Sequence, residues 1–226
     1  MSLLAHQIRG PLTTISSLSQ GMMRRSERLK PSDIRDRAEK IWRASRRLHE
    51  LIETILSYTR SSAGALTPRL STFNFRALIR RVCEEQGRQE PTRVFSLDLQ
   101  NLPASFLGDP VLLEQALVIV VSNAMKYSPA SRPVRVSGHR ENDRFLIRVS
   151  DEGVGVPQGD LPFLMQPFFR GRNVRHMPGT GLGLSLAWQI VKLHGGELQI
   201  ESEEGRGTTV TLTLLDEQET GPEDET

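Results

Sequence analysis

DIRDRAEKIWRASRRLHELIETILSYTR, residues 33–60, is the stretch that decides the first half of the fold. Its apolar and small residues recur at alternating spacings of four and three: Ile34, Ala38, Ile41, Ser45, Leu48, Ile52, Ile55 and Thr59. That rhythm is typical of a helix packed in a left-handed bundle. We expect Ser32 to cap the start of this helix and the segment 61–64 to end it.

The sequence before this helix keeps the same rhythm over a shorter stretch. The positions that carry it are Leu4, Ile8, Pro11, Ile15, Leu18 and Met22. A turn near Lys30 and Pro31 joins the two helices into an antiparallel hairpin, and Pro11, which has no N–H, is expected to kink the first. One hairpin cannot bury an apolar seam on both sides, so the pattern favours a four-helix dimer. The alternative is that the hairpin packs on its own C-terminal domain.

Composition limits the class of protein. The chain has 226 residues, of which 37% are hydrophobic and 25% charged, as in ordinary soluble globular proteins. Cys83 is its one cysteine, which excludes a disulfide scaffold. The longest aliphatic run, residues 116–121, is far shorter than the roughly 20 residues of a membrane span. Because a helical pattern starts at once after Met1, we expect a soluble fragment of a longer protein.

The net charge of +2 is unevenly distributed. It amounts to +6 over residues 1–62, +2 over 63–215 and −6 over 216–226. A basic hairpin could bind nucleic acid, but arginines along helices without interleaved aromatic residues are more typical of a solvated face. We therefore expect no nucleic-acid partner, and we expect the acidic tail to be disordered.

Residues 73–215 mix two kinds of periodicity. Helical patterns cover 75–89, 109–125 and 184–194, and strand patterns cover 93–99, 134–139, 144–150, 197–202 and 208–214. Antiparallel hairpins combined with helices predict an α+β sandwich, one mixed sheet with helices on one face. The predicted organisation is a hairpin over 1–62, a linker over 63–72, the sandwich over 73–215 and a tail over 216–226.

Three motifs in the sandwich point to a nucleotide. DEGVGVP at 151–157 places Asp151 at a strand end before two glycines, and such a carboxylate can accept a hydrogen bond from an exocyclic amine. GTGLG at 179–183 opens a helix, whose free N–H groups attract anions. Asn123, Lys126 and Tyr127 supply an oxygen for Mg²⁺, an ammonium for phosphate and a ring for a base. Each motif alone is weak, and together they indicate a magnesium nucleotide.

His6 lies on the first helix, 200° around the axis from both Leu4 and Ile8, so we expect its side chain to be exposed. On position alone an ordinary solvated histidine is the better interpretation. The motifs of the sandwich change that interpretation, because a nucleotide site gives an exposed histidine a reaction to take part in.

With these motifs in order, the chain resembles the catalytic half of a sensor histidine kinase of a two-component system. The resemblance rests on five boxes: AHQIRGPL at 5–12, VIVVSNAMKY at 118–127, DEGVG at 151–155, FLMQPFFR at 163–170 and GTGLG at 179–183. It implies a dimerisation and phosphotransfer hairpin followed by a gyrase-type ATP-binding domain. It also implies a cytoplasmic fragment, with a parent protein that could be membrane-anchored.

The resemblance assigns roles to residues. His6 would accept the phosphoryl group, with Gln7 and Arg9 beside it, and would pass it to an aspartate of a response-regulator receiver. Asn123 would be the Mg²⁺ ligand, Asp151 the adenine partner, and 158–178 a mobile lid. The implied ATP-binding residues are Asn123, Lys126, Tyr127, Asp151, Gly153, Gly155, Phe169, Arg170, Gly179, Thr180, Gly181, Leu182, Gly183 and Leu184.

Three positions depart from the family pattern. Gln7 stands where most members have Glu or Asp, and an amide cannot act as a base. Gly10 stands where many members have Thr or Asn, and Ile119 replaces an earlier Asn of the second box. We expect a slow autokinase with weak phosphatase activity. The alternative is a degenerate dimeric module that binds nucleotide with little or no kinase activity.

Overall fold

The computed structural model describes residues 3–24, 29–62, 67–102, 104–177 and 179–215, and the acidic tail lies outside these ranges. Side chains are described except those of residues 3–7 and of positions 47, 50, 53–54, 57–58 and 60–62. The chain divides into two compact units, Met1–Arg60 and Ser61–Thr226. No helix in the described ranges is long and apolar enough to cross a membrane.

The first unit is built from α1, Leu3–Arg24, and α2, Pro31–Ser62. Helix α1 continues through Pro11, which is buried. A Cβ added to Gly21 near the end of α1 would lie 2.9 Å from Nη1 of Arg37 near the start of α2, as in an antiparallel pair. The predicted hairpin is therefore present.

The predicted N-cap of α2 is wrong. The N–H groups of Asp33 and Ile34 donate to the carbonyl of Lys30 at 3.0 and 3.1 Å, so Lys30 precedes the helix. The Asp33 carboxylate accepts a bond from the Lys30 N–H at 3.3 Å. Pro31 takes the first helical position because its fixed φ suits the first turn, where its missing N–H costs nothing. Ser32 consequently lies inside the helix.

Helix α2 carries two adjoining apolar stripes rather than one seam. One is at least partly buried within the unit and includes Leu51, which is 4% exposed. The other is exposed, with Ile34 at 40%, Ile52 at 43% and Leu56 at 42%, and Trp42 beside it at 60%. We call this second set the α2 stripe.

The second unit contains the predicted sandwich. Its elements are β1 Ser71–Phe73, α3 Phe75–Gln89, β2 Phe95–Asn101, β3 Phe106–Gly108, α4 Pro110–Tyr127, β4 Val134–Glu141, β5 Arg144–Asp151, α5 Gly183–Leu193, β6 Glu197–Glu203 and β7 Gly207–Leu215. Two 3₁₀ turns, Gln158–Phe163 and Arg172–Val174, lie between β5 and α5. Ser71 and Thr72, which are predicted to belong to the linker, form β1 with Phe73.

The main sheet is mixed, in the order β2-β4-β5-β7-β6. Strand β2 runs parallel to β4, and the other neighbours are antiparallel. Strands β1 and β3 form a separate antiparallel pair, which sequence patterns did not predict. The predicted α+β class is confirmed.

Alternation along β5 shows where the core lies. Phe145 and Ile147 are fully buried, whereas Arg144 and Arg148 on the opposite face are exposed. The buried face packs against α3, α4 and α5, whose fully buried side chains include Ile79, Leu117 and Ile190. Helices therefore cover one face of the sheet, as predicted.

Asp109 ties three segments together at the start of α4. Its Oδ1 accepts bonds from the N–H groups of Val111 and Leu112 at 3.0 and 3.1 Å, which caps the helix. Its Oδ2 accepts a bond from the N–H of Arg69 at 2.8 Å. Its own N–H donates to Nε2 of His194, just after α5, at 3.0 Å.

Candidate functional site

Asp151 ends β5 and begins the site. Its Oδ1 accepts a hydrogen bond from the N–H of Gly153 at 2.8 Å. Burial raises the pKa of Asp151 to about 6, although the N–H groups of Gly153 and Thr208 and the charge of Arg93 act to lower it. A carboxylate held partly out of water is a strong acceptor for the amine of a ligand.

Glycines after Asp151 bring three backbone segments into contact. A Cβ on Gly153 would lie 2.2 Å from the carbonyl oxygen of Tyr127, at the end of α4. A Cβ on Gly155, whose φ is +60°, would lie 2.0 Å from the carbonyl oxygen of Glu203. The two glycines of this motif are therefore required by packing between backbones, in addition to any approach of a ligand.

The end of α4 supplies a cation beside an aromatic ring. Nζ of Lys126 donates to the hydroxyl of Tyr127 at 3.0 Å and lies 4.6 Å from the centre of its ring. Asn123, one turn earlier on the same helix, is partly buried. The three residues predicted from the second box thus share one face at the end of α4.

The glycine loop before α5 meets this group. A Cβ on Gly179 would lie 2.7 Å from Nζ of Lys126, 3.6 Å from the hydroxyl of Tyr127 and 3.8 Å from Nε of Arg170. Two cationic side chains and a hydroxyl therefore converge on Gly179, whose φ of +156° is rarely adopted by other residues. Cationic and hydroxyl groups grouped in this way suit the binding of a phosphate.

Gly181 connects the loop to the box before it. Its carbonyl accepts a bond from the N–H of Phe168 at 2.9 Å, and a Cβ at its φ of +74° would lie 2.6 Å from the carbonyl oxygen of Phe169. Helix α5 then begins at Gly183 without a side-chain cap on its N–H groups. The Thr180 hydroxyl accepts a bond from the N–H of Leu182 at 3.2 Å.

Two predicted residues of this loop face the core. Leu182 is fully buried, and Leu184 is partly buried and packs against the core cluster. The side chains of both leucines therefore pack inward, and the N–H of Leu182 is already bonded to the Thr180 hydroxyl. The two leucines of this motif therefore anchor the start of α5 in the core, in addition to any role of the motif in binding.

Arg170 has one polar atom without a partner. Its Nη2 donates to the carbonyl of Val174 at 2.6 Å and also to that of Met177. Its Nε is buried and has no hydrogen-bond partner among the described residues. A buried unpaired donor costs free energy, and a phosphate oxygen would satisfy it.

Two residues that sequence patterns did not single out, Asp160 and Asn173, hold the segment between the 3₁₀ turns. Buried Asp160 accepts bonds from N and Nε of Arg172 at 2.8 and 3.0 Å. Nδ2 of Asn173 donates to the carbonyl of Gly155 at 2.9 Å. The partners are 12 and 18 positions apart, and no local motif links residues at such distances.

The predicted acceptor region lies in the first unit. His6 and Gln7 belong to α1, and their side chains lie outside the described residues. Arg9 is exposed and lines a cleft of this unit together with Gly10, Thr13 and Lys40. Their roles stay predictions.

A metal at the nucleotide site would not be held by a cluster of protein ligands within the described residues. The described parts of the chain contain no group of three His, Cys, Asp or Glu residues that could hold an ion. Asn123 offers a neutral oxygen one turn before Lys126 on α4, and Mg²⁺ commonly takes its other ligands from phosphates and water. The residues present therefore fit an ion that arrives with the nucleotide.

Comparison with known proteins agrees with this geometry. Residues 1–64 match the His Kinase A phospho-acceptor domain, and residues 108–218 match the histidine kinase-, DNA gyrase B- and HSP90-like ATPase family. The circadian input-output histidine kinase CikA of Synechococcus elongatus is 32% identical over 95% of this chain and 29% of its own length. The sensor histidine kinase YkoH of Bacillus subtilis is 32% identical over 94% of this chain and 46% of its own length.

A solved structure shares the fold. The histidine kinase ThkA, in complex with the response regulator protein TrrA, has a TM-score of 0.73 at 23% identity, covering 94% of this chain and 59% of that one. The chain spans less than half the length of the curated relatives it matches.

The fold and the site define an ATP-binding domain of the histidine kinase and gyrase type, preceded by a phospho-acceptor domain. The chain belongs to the sensor histidine kinases of two-component systems. The resemblance found in the sequence is confirmed.

Proposed function

We propose that this protein is an ATP-dependent histidine kinase that phosphorylates itself on His6 and passes the phosphoryl group to an aspartate of a response-regulator receiver. The observation that carries the proposal is the convergence of Lys126, Tyr127 and Arg170 on Gly179, with the buried Nε of Arg170 unpaired. The match of residues 1–64 to a phospho-acceptor domain supports a histidine nucleophile in the hairpin.

In this proposal the site holds ATP at two ends. The carboxylate of Asp151 accepts a bond from the adenine amine, and the phosphates lie at the start of α5, beside Lys126 and Arg170. Mg²⁺, with Asn123 as its protein ligand, would neutralise charge on the phosphates. The protein contributes position and electrostatics, because phosphoryl transfer needs little covalent chemistry from side chains.

The nucleophile in this proposal is a neutral ring nitrogen of His6. Transfer requires the γ-phosphate and that nitrogen to meet in line, so the part of the linker that precedes Arg69 would have to let the hairpin and the ATP-binding domain meet. Gln7 can orient the imidazole but cannot take its proton, which supports a slow reaction.

A homodimer is the second part of the proposal. The α2 stripe leaves four large apolar side chains 40% to 60% exposed in a single chain. An exposed row of this kind is typical of an interface, and a second copy of the hairpin supplies a complementary row in a four-helix bundle. ThkA has been seen with a response regulator, and we propose a receiver domain as the partner here as well.

A labelling experiment tests the proposal. Protein incubated with γ-labelled ATP and Mg²⁺ is expected to gain acid-labile, base-stable phosphate, which His6→Gln removes. His49→Gln is the matched control, because His49 is an exposed histidine of α2. Label that survives His6→Gln, or that is lost equally in both variants, would overturn the assignment of His6. Addition of EDTA is expected to abolish the label in the wild type and in His49→Gln.

Ile119 favours the second candidate, a nucleotide-binding module with little kinase activity. A Cβ on Gly183 would lie 3.2 Å from Cγ2 of Ile119, so a methyl group borders the start of α5 where family members have a polar side chain. Wild-type protein that binds ATP but gains no label would support this candidate. Label that accumulates with time would exclude it.

A further inference from the structure

The guanidinium of Arg93 is buried against the end of α4. Its side chain is 1% exposed. Nη2 donates to the carbonyls of Met125 at 2.7 Å and Ser128 at 3.1 Å. Nη1 donates to the hydroxyl of Ser128 at 2.9 Å and to the carbonyls of Pro129 at 2.7 Å and Arg132 at 3.2 Å.

The bond to Met125 replaces a donor that the helix cannot supply, and the other bonds hold the segment that follows the helix. The last four carbonyls of a helix have no partner within it, and Pro129 has no N–H with which to continue the ladder. The hydroxyl of Ser128 satisfies the carbonyl of Ala124 at 2.6 Å, and Arg93 satisfies that of Met125. The carbonyl of Tyr127 accepts a bond from the N–H of Val154 at 3.0 Å.

The carboxylate of Glu90, which lies nearer the surface, balances the charge of Arg93. Nε donates to the Glu90 carboxylate at 3.0 Å, and the Glu90 side chain is 42% exposed. The guanidinium thus points one edge at Glu90 and its two amino groups at the helix end. A lysine has a single ammonium and cannot reproduce this fork of five donors.

The end of α4, which Arg93 holds in place, carries one side of the nucleotide site. Lys126 and Tyr127 are the last residues of α4, and the bond from Val154 to Tyr127 joins the helix end to the turn after Asp151. A shift of the helix end would therefore displace the cation at the phosphates and the turn at the base together.

We propose that Arg93 is a positioning residue of the nucleotide site: its fork fixes the end of α4, and through it Lys126, Tyr127 and the turn at Val154. The inference deepens the proposed function and rests on it for the identity of the ligand. It gives Arg93 a role that reaches beyond the general stability of the fold.

The test compares Arg93→Lys with a variant that lowers stability at a distance from the site. Leu214→Val removes one buried methylene on β7, where Leu214 pairs with Phe145 at the far end from Asp151. The Tm of thermal unfolding is expected to be lower than that of the wild type in both variants. Measured well below each transition, the Kd for ATP is expected to rise at least about tenfold in Arg93→Lys, because small displacements at such sites have large effects. It is expected to be unchanged in Leu214→Val.

Hydrogen exchange gives a readout that needs no ligand. Arg93→Lys is expected to speed exchange in peptides covering 122–130 and 153–156, and Leu214→Val is not. Ser128→Ala, which removes one acceptor of the fork, is the milder second variant and is expected to show the same pattern more weakly.

The outcomes separate the two proposals. Unchanged ATP affinity and unchanged local exchange in Arg93→Lys would overturn the role of Arg93. Wild-type protein that binds no ATP would overturn the proposed function, while the exchange result would still decide whether Arg93 fixes the end of α4.

Discussion

Replacing Asp151 by Asn is expected to stabilise the protein and to impair ATP binding at the same time. Burial raises the pKa of Asp151 from its ordinary value of 3.8 to about 6. In neutral solution the folded chain therefore holds an anion where a neutral group would be more favourable. The amide keeps an oxygen for the N–H of Gly153, which the carboxylate now satisfies at 2.8 Å.

The sign of the stability effect follows from proton binding. Between pH 3.8 and about 6 the folded chain retains the proton that the unfolded chain has lost, so the free energy of unfolding falls as the pH rises through this range. A shift of this size corresponds to at most about 3 kcal/mol. Solvent screening of a partly exposed carboxyl reduces the expected gain in Asp151→Asn to about 1–2 kcal/mol at pH 7.5. That gain is a rise of about 2–8 °C in Tm.

The effect on binding has the opposite sign. An amide that bonds Gly153 through its oxygen presents an NH₂ group to the adenine amine, and two donors then face each other. We expect the Kd for ATP to rise about 10- to 100-fold, which corresponds to the free energy of a hydrogen bond to a charged group. In the wild type the affinity is expected to fall about tenfold between pH 7 and pH 5, as the carboxylate takes up its proton.

Differential scanning fluorimetry from pH 4 to 8 and calorimetric titration with ATP are the assays. The gain in Tm is expected to shrink as the pH falls towards 4. Asp143→Asn, an exposed change in the β4–β5 turn, is the control and should alter neither quantity. A variant that melts at or below the wild-type temperature at pH 7.5, or that binds ATP as well as wild type, would refute the reasoning.

Two substitutions and one reactivity measurement test the packing of the second unit. Gly153→Ala forces a Cβ to within 2.2 Å of the Tyr127 carbonyl oxygen and should strongly reduce both Tm and ATP affinity. In the control Gly205→Ala the Cβ meets no atom within 4 Å, so only the positive φ should lower the free energy of unfolding, by about 1 kcal/mol. Equal Tm values for the two variants would contradict the role of packing at Gly153. Cys83 is buried with its pKa raised to about 12, so native protein should react with a thiol reagent at pH 8 far more slowly than denatured protein, and equal rates would show that the thiol is accessible. Asp109→Ala should lower the free energy of unfolding by about 1–2 kcal/mol through loss of the helix cap, as measured by urea denaturation, and no change would mean that solvent replaces the cap.

Periodicity predicted the elements that bury a continuous face. The helix over 75–89 and the hairpin of β4 and β5 were predicted within a few residues, because their apolar residues repeat with the period of the element. Strands β1 and β3 have three residues each, too few to show alternation. Ser32 was mistaken for a cap because the preference of Pro31 for the first helical position outweighs it.

The site was predictable where one motif carries several of its residues. Asp151, Gly153 and Gly179 stand in short glycine motifs, and the structure brings them to the expected ends of β5 and α5. Arg93 was not predicted, because its contacts with the end of α4 and the segment after it join residues 32 to 39 positions apart. Such a role depends on where the folded backbone leaves carbonyls unpaired, and an isolated arginine in a sequence gives no sign of it.

Asp109 determines where an isolated ATP-binding fragment can begin. A fragment that starts at residue 67 keeps the N–H of Arg69, which bonds to the Asp109 carboxylate, and keeps the whole of β1. A fragment that starts at residue 73 loses the Arg69 bond and leaves β3 with only Phe73 as a partner. The practical cutting point for crystallisation or screening therefore lies before Arg69, within the segment that sequence texture alone would discard as a linker.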